Sequence, residues 1–252
     1  MLKYVRQSDM ILTLTKYEFK LRYRGTLFGV LWSLISPFLL TLVLYVVFRG
    51  LSEATGNFAT YILVGVFTCR FFSTATSAGM FSIISKPNLV TKTNIPREIL
   101  PLTTTLAYSI SSFLEILILI PLVYYLSGKI TILILMLPLI HGIYSLFVCG
   151  VNLIISALMV HIRDLNQIWE VILTILFFGS PIAYPVNIVP KDLLSVYMLN
   201  PLVRVIGLYR GLIMYDTFSV PDFLYFFLFS LMSLIVGHLL FSRMQRRFGE
   251  LL

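Results

Sequence analysis

The residues of this chain with the clearest chemical potential are two opposite charges inside long apolar stretches, Arg70 and Glu115. A charge at such a position is costly in hydrocarbon and usually faces protein or water. Counting about 1.5 Å per residue places the two within roughly a turn or two of the same depth on consecutive apolar segments. We therefore predict an intramembrane Arg70–Glu115 pair, which either locks two helices together or lies beside a pathway.

A second unusual feature is the short basic segment SKPNLVTKTNIPREILP at residues 85–101, called the elbow below, which separates two apolar runs. Pro87 prevents a helix from continuing out of the first run. Asn88 is a suitable N-cap for a short helix over Leu89–Lys92 that ends at Asn94 or Ile95.

Pro96 suits the first turn of the next helix, which puts Arg97 and Glu98 at its start. A segment bounded in this way is stiff, whereas a Gly/Ser loop would dissipate a push. On physical grounds alone it is either a plain connector or a lever that transmits force between two helices and something outside them.

The elements that must position these residues follow from composition. Hydrophobic residues make up 58% of the 252-residue chain and charged residues only 12%, and the mean hydropathy is +0.93. This excludes an ordinary soluble domain and indicates a polytopic membrane protein. The two cysteines lie in apolar runs and are interpreted as buried side chains.

Six apolar stretches approach or exceed the length that crosses a bilayer as a helix. They are residues 27–48, 58–84, 102–126, 132–160, 167–185 and 222–242. Most of the 19 Lys and Arg residues fall on one side if both termini are cytoplasmic. The sequence thus predicts a single all-α transmembrane domain over residues 1–252, with the elbow in the cytoplasm.

Two further segments are expected to lie at the membrane surface rather than to cross it. Residues 8–26 carry two apolar stripes separated by cations, as in an amphipathic interfacial helix. Its candidate headgroup-binding cations are Lys16, Lys20, Arg22 and Arg24. Residues 186–221 are broken by prolines yet apolar, which predicts a re-entrant or amphipathic external segment. That segment is either a structural plug or the rim of an external gate carrying Arg204 and Arg210.

Four blocks of the sequence resemble ABC-2 type permeases of the polysaccharide exporter group. They are KYEFKLRYRGTLFGVLWSLISPF, GVFTCRFFSTATSAGMFSII, NLVTKTNIPREILP and SPIAYPVNIVP with NPLVRVIGLYRGLI, in the order of that family. The resemblance implies export of a lipid-linked polysaccharide such as O-antigen, teichoic acid or capsule. It also implies a homodimer in the bacterial inner membrane, driven by two copies of a separate ATPase subunit.

The same resemblance implies that the elbow is a coupling helix resting on the ATPase. The residues carried over to this role are Asn88, Leu89, Val90, Lys92, Pro96, Arg97 and Glu98, with Arg163 and Asp164 from a second cytoplasmic turn. The chain contains no G-x-x-x-x-G-K-[ST] sequence. ATP and Mg²⁺ are therefore expected on the partner, and no cofactor on this chain.

Aromatic rings offer sugars a stacking surface, so some are expected to line a glycan's path. The candidates are Tyr45, Phe67, Phe71, Phe72, Phe177 and Tyr184. Arg204 and Arg210 could meet a phosphate or sugar acid at the outer rim. The alternatives are an ABC-2 permease for a drug or lipid and, less favoured, a membrane enzyme, because the three histidines are scattered. Nucleic acid is not an expected partner.

Overall fold

The computed structural model describes residues 2–24, 30–50, 57–92, 95–127 and 132–251, and all regular structure in these ranges is helical. The helices are α1 (Leu2–Tyr23), α2 (Val30–Val47), α3 (Phe58–Met80), α4 (Pro87–Lys92), α5 (Ile99–Ser127), α6 (Leu137–His161), α7 (Leu165–Phe178), α8 (Lys191–Tyr197), α9 (Pro201–Arg210), α10 (Val220–Met244) and α11 (Phe248–Leu251). This confirms the all-α class for the described residues.

Four of the described helical segments are long and apolar enough to cross a membrane: Phe58–Met80, Ile99–Leu126, Ile132–His161 and Val220–Arg247. Two shorter apolar helices, Leu31–Val47 and Leu165–Phe178, occupy the positions of the predicted first and fifth spans. The fifth span was predicted to reach residue 185, but its helix ends at Phe178, where Gly179 and Pro181 follow. Residues 25–29, which include the predicted start of the first span, lie outside the described residues.

Helix α3 is the centre of the bundle and packs against α2, α5, α6 and α9. Seventeen of its 23 residues are buried, so it is apolar around most of its circumference, as expected of a helix with neighbours on most sides. Its remaining face, which includes Arg70, Ser73, Thr74 and Ser77, is only partly buried.

Helices α6 and α10 share the most extensive contact among the described helices, and glycines allow their close approach. A Cβ added to Gly237 would lie 2.4 Å from the Gly150 carbonyl oxygen, and one added to Gly150 would meet the Ser233 backbone at the same distance. Small residues at a crossing let two backbones pack without a side chain between them. This contact holds α10, the last long helix, against the core.

A buried amide joins three helices in the middle of the bundle. The side chain of Asn152 on α6 donates to the Ala75 carbonyl at 3.2 Å and to the Thr105 hydroxyl at 2.8 Å. Gly79 makes room for it, since a Cβ there would lie 2.2 Å from the amide. A buried amide whose Nδ2 donates to two neighbouring helices in this way fixes the register of α3, α5 and α6.

The N-terminal helix and the elbow helix differ from their predicted bounds. The N-terminal helix begins at Leu2 rather than residue 8, and its predicted end at residue 26 lies outside the described residues. The elbow helix α4 begins at Pro87, and the Lys86 carbonyl accepts the Leu89 and Val90 amides. Asn88 therefore lies in the first turn and is not the N-cap, because proline is suited to that first position. Thr93 and Asn94, near the predicted end of this helix, lie outside the described residues.

Candidate functional site

The elbow has an inner face that is fixed to the bundle. Val90 is 3% exposed and packs in a cluster with Leu100, Phe241 and Phe248. Phe248 belongs to the four-residue helix α11 near the end of the chain and is fully buried. The C-terminal segment thus lies under the elbow and supports it.

Polar contacts fix the elbow on two more sides. Lys86 forms an ion pair with Glu18 of α1. The Arg97 guanidinium donates to the Gln245 carbonyl beyond α10, and Glu98 lies 3.2 Å from His238 Nδ1. The stiff elbow expected from the prolines is therefore held by α1, α10 and the C-terminal segment.

The outer face of the elbow is open. Asn88, Thr91 and Lys92 are exposed, while Leu89 is partly buried against the inner cluster. This alternation gives α4 one face for the bundle and one face for contact with another molecule.

Arg163 and Asp164 are exposed in the turn between α6 and α7. This turn lies at the same end of the bundle as the elbow, because the His161 ring contacts Phe248 with centroids 6.1 Å apart. The residues predicted to meet a partner from two separate segments thus share one end of the molecule.

The predicted Arg70–Glu115 pair is wrong in its partner. Glu115, which is 4% exposed, is paired with Arg22 of α1 at 3.5 Å, and the Ser33 hydroxyl hydrogen-bonds to its carboxyl group. Charges on consecutive membrane helices were expected to pair, but α1 folds against α5 and brings Arg22 nearer to Glu115. Arg70 makes no ion pair in the part of the chain that the structure describes.

The four cations of α1 do not form one surface. Lys16, Lys20 and Arg24 are exposed, as expected of residues that meet headgroups. Arg22 instead turns inward, with its guanidinium carbon 4.2 Å from the centroid of the Tyr108 ring. Arg22 is therefore not one of the surface cations. It pairs with the Glu115 carboxylate and lies over the Tyr108 ring, both on α5.

The prediction that Arg210 lines an external gate is also wrong. Its side chain is 4% exposed and donates to the Tyr61 carbonyl at 2.9 Å and the Ile182 carbonyl at 3.0 Å, with its guanidinium carbon 3.3 Å from the centroid of the Tyr61 ring. Burial lowers the pKa of Arg210 to about 10, so the guanidinium is still charged at neutral pH. It clamps α3 to the 180–216 segment and cannot reach a ligand.

Arg204, the second predicted gate residue, lies nearer the surface. It pairs with Asp222 at the start of α10, donates to the Met198 carbonyl at 3.2 Å and lies over the Tyr225 ring. The ion pair ties α9 to α10, and the side chain remains partly exposed.

Three aromatic residues proposed for a glycan path lie in the packed core instead. Phe67, Phe71 and Phe72 are only 2–3% exposed. Phe71 contacts the His141 and Tyr144 rings, and Phe72 stacks on Phe147. They cannot line a path past this chain, because α3 is surrounded by other helices there. Tyr45, Phe177 and Tyr184 are partly buried and keep accessible surface.

One buried polar group was missed from the sequence. His141 Nδ1 lies 2.7 Å from the Tyr209 hydroxyl and its Nε2 lies 3.0 Å from the Ser109 carbonyl, which links α6 to α9 and α5. A polar residue inside an apolar run was the available signal, but its partners are 32 and 68 residues away and no local pattern identifies them.

Comparison with known proteins places the chain in a family. Residues 10–214 match the ABC-2 type transporter family. An O-antigen export system permease protein RfbA of Klebsiella pneumoniae is 24% identical over 97% of this chain and 95% of its own length. The protein of the same name from Myxococcus xanthus is 28% identical over 84% of each chain. The polysialic acid transport protein KpsM of Escherichia coli is 25% identical over 87% of each. This chain belongs to the ABC-2 type transporter family.

Proposed function

We propose that this chain is the membrane-spanning permease subunit of an exporter that moves a lipid-linked polysaccharide out across the bacterial inner membrane. Two kinds of relative support the substrate class, since their names specify O-antigen export and polysialic acid transport. Both matches run through most of each chain, so the likeness is not confined to one shared segment.

In this proposal six helices cross the membrane and both termini are cytoplasmic. The crossing helices are α2, α3, α5, α6, α7 and α10. The bias of Lys and Arg toward the elbow side supports the orientation. At about 1.5 Å per residue the 14-residue α7 is roughly 21 Å long, so the irregular residues after it complete that crossing.

The observation that carries the proposal is the division of the elbow into a fixed inner face and an open outer face. A partner that pushed on Asn88, Thr91 or Lys92 would move α4 together with the bundle, because Val90 is packed inside it. We infer that a separate ATPase, which binds ATP and Mg²⁺, docks on this face and on the turn at Arg163 and Asp164.

We infer that two copies of the chain enclose the polysaccharide's path. The exposed apolar side chains of α2 and α7 support a second copy beside them; they include Trp32, Leu39, Val43, Val171 and Ile175. Tyr45, Phe177 and Tyr184 are the aromatic residues retained as candidates for stacking on sugars. Lys16, Lys20 and Arg24 would attract the anionic headgroup of the lipid carrier to the cytoplasmic surface.

A charge reversal on the elbow tests the proposal. Lys92→Glu changes one exposed residue of α4, and Lys191→Glu is a matched control on α8, where Lys191 is also exposed. Each variant is co-expressed with a candidate ABC ATPase subunit, and co-purification and ATP turnover are measured. We expect Lys92→Glu to lose complex or turnover and Lys191→Glu to resemble the wild type. If no ATPase accompanies the wild-type chain, the proposal fails.

A further inference from the structure

A row of adjoining cavities runs along the partly buried face of α3. The cavity nearest the elbow, about 440 Å³, is lined by Lys86, Ser82 and Tyr108 among others. The next, about 530 Å³, shares Tyr108 with it and adds Arg22 and Ser77. The third, about 240 Å³, shares Ser73 and Thr74 with the second and reaches Arg70 and Phe177. We call the second and third cavities the α3 groove.

The α3 groove carries an unbalanced positive charge. Arg22 is paired with Glu115, and Arg70 lies close enough to interact electrostatically with the same carboxylate. Two cations therefore face one carboxylate. Partly buried charges are screened far less than surface charges. A net positive charge in such a place favours an anion, which would complete the charge balance.

The two arginines of the groove keep donors that are not used within the described structure. Arg70 Nε is buried without a hydrogen-bond partner in the described structure, although a buried N–H of this kind normally has one. Arg22 lies 3.5 Å from Glu115, which is longer than an N–H···O hydrogen bond. Arg210 provides the contrast, because its guanidinium already donates to two carbonyls and covers a ring.

The lining also suits a phosphate geometrically. An arginine fork donates two parallel hydrogen bonds to a phosphate. The Ser77 hydroxyl can add a further contact, whereas the Ser73 and Thr74 hydroxyls already donate to the Arg70 carbonyl. Arg70, Ser73 or Thr74, and Ser77 follow one another at helical spacing, so they lie on one face of α3. Water takes up about 30 Å³ per molecule in the liquid, so even the 240 Å³ cavity holds more than a few waters.

We propose that the α3 groove binds the phosphate groups of a lipid-linked substrate, with Arg70 and Arg22 as the donors that recognise them. That the ligand is a lipid rests on the proposed export function. That it is an anion does not, because this part rests on the two arginines of the groove. The row of cavities from the elbow to Phe177 provides the headgroup with a route that charged and hydroxyl side chains line in part. Glu115 is the positioning residue that keeps Arg22 turned toward the groove.

Binding of a prenyl diphosphate tests the proposal directly. The full chain, purified with its ATPase in dodecyl maltoside and phosphate-free buffer, is titrated with radiolabelled geranylgeranyl diphosphate in the absence of nucleotide. A charge-assisted hydrogen bond contributes about 1.5–3 kcal/mol, so we expect Arg70→Gln to weaken binding about tenfold or more. Arg70→Lys should lose less. Arg243→Gln, the same change at an exposed arginine on α10, should bind as the wild type does.

Competitors identify the source of the phosphate. Geranylgeraniol, which lacks phosphate, should not displace the probe. If inorganic pyrophosphate displaces it as well as the unlabelled prenyl diphosphate does, the groove is an anion site that does not require the lipid, and the lipid part of the proposal is overturned. Equal binding by Arg70→Gln and Arg243→Gln, with unchanged melting temperatures, overturns the groove itself.

The result is independent of the test of function. If the ATPase does not associate, the chain is purified alone and the same titration is made, so Arg70-dependent binding would support the groove even though the export proposal had failed. Conversely, if an ATPase associates but ligand binding does not depend on Arg70, the groove proposal is overturned and the permease proposal stands.

Discussion

The 180–216 segment and the elbow lie at opposite ends of α3 and hold their charges in different ways. In the 180–216 segment Arg210 is buried, and its hydrogen bonds to the Tyr61 and Ile182 carbonyls clamp this segment to the start of α3. At the elbow, Lys86, Arg97 and Glu98 are only partly buried and bridge different helices, while the outer face of α4 is open. The difference indicates one end built to stay closed and one end built to be contacted.

The contrast extends to what supports each end. The short helix α9 lies on the bundle through Leu202, Val205 and Ile206, which are at most 1% exposed. The elbow is supported by a separate small cluster that depends on Phe248 near the C-terminus. The 180–216 segment is thus held rigid by packing on the main core, whereas the elbow is held rigid by packing on the C-terminal segment.

The largest effect is expected from Arg210→Ala. The change removes the hydrogen bonds to the Tyr61 and Ile182 carbonyls and opens a cavity beside the Tyr61 ring, which should cost about 3 kcal/mol. For a chain of this size that corresponds to a fall of about 6–12 °C in melting temperature. Arg204→Ala, whose pair is partly exposed, should cost about 1 kcal/mol or less. Equal losses of stability in the two variants would contradict the contrast between a buried arginine and a partly exposed ion pair.

At the elbow, Phe248→Ala should act locally. Truncating a fully buried phenylalanine costs about 3–5 kcal/mol in a core, but here the loss is expected as local opening of α11 and α4. Hydrogen exchange in residues 87–92 should speed up, while exchange in α6 and α9 stays unchanged. Faster exchange throughout the chain would mean that the elbow is not a separate unit.

Alanine substitutions at two glycines test how closely α3 packs against Arg210. In Gly65→Ala the new Cβ would lie 2.7 Å from Arg210 Nη2 and 3.2 Å from the Ile182 Cα, so the clamp must shift at a cost of about 2 kcal/mol. Gly142→Ala on α6 has open space around it and should be neutral or slightly stabilising. Melting temperatures of the two variants measure the difference, and the absence of one would contradict the close contact.

The smallest effect is expected for Lys86→Gln, which removes the ion pair with Glu18. Both side chains retain some exposure, so the loss of stability should be about 1 kcal/mol or less. Its test is the salt dependence of melting: the wild type should lose this increment between low and high salt, and Lys86→Gln should not. A loss as large as that of Arg210→Ala would show that α1 is an essential support of the elbow.

The features that depend on local sequence were predictable. Apolar runs gave the positions of the long helices, and prolines gave the stiff elbow between α3 and α5, because both signals act within a few residues. Helix ends were less predictable, as at α7, where Gly179 and Pro181 end the helix before the apolar run ends.

The partners of charged residues were not predictable. Arg22 displaces Arg70 as the partner of Glu115, and Arg210 is buried against Tyr61, 149 positions away in the sequence. Both outcomes depend on which helices pack together. The apolar stripe of α9 was visible in the sequence, but which arginine lies beneath that helix and which at its edge depends on the fold.

The central claim is that the elbow end, and not the 180–216 segment, contacts an ATPase, and cysteine cross-linking tests it most directly. Both native cysteines are buried, at 4% and 5% exposure, so a cysteine introduced at an exposed position is the preferred target of a maleimide that carries a photoreactive benzophenone. Asn88→Cys on α4 is compared with Ser195→Cys on α8, and both positions are exposed. We predict that the co-expressed ATPase is cross-linked through Asn88→Cys and not through Ser195→Cys. Cross-linking through Ser195→Cys alone would contradict the proposed coupling.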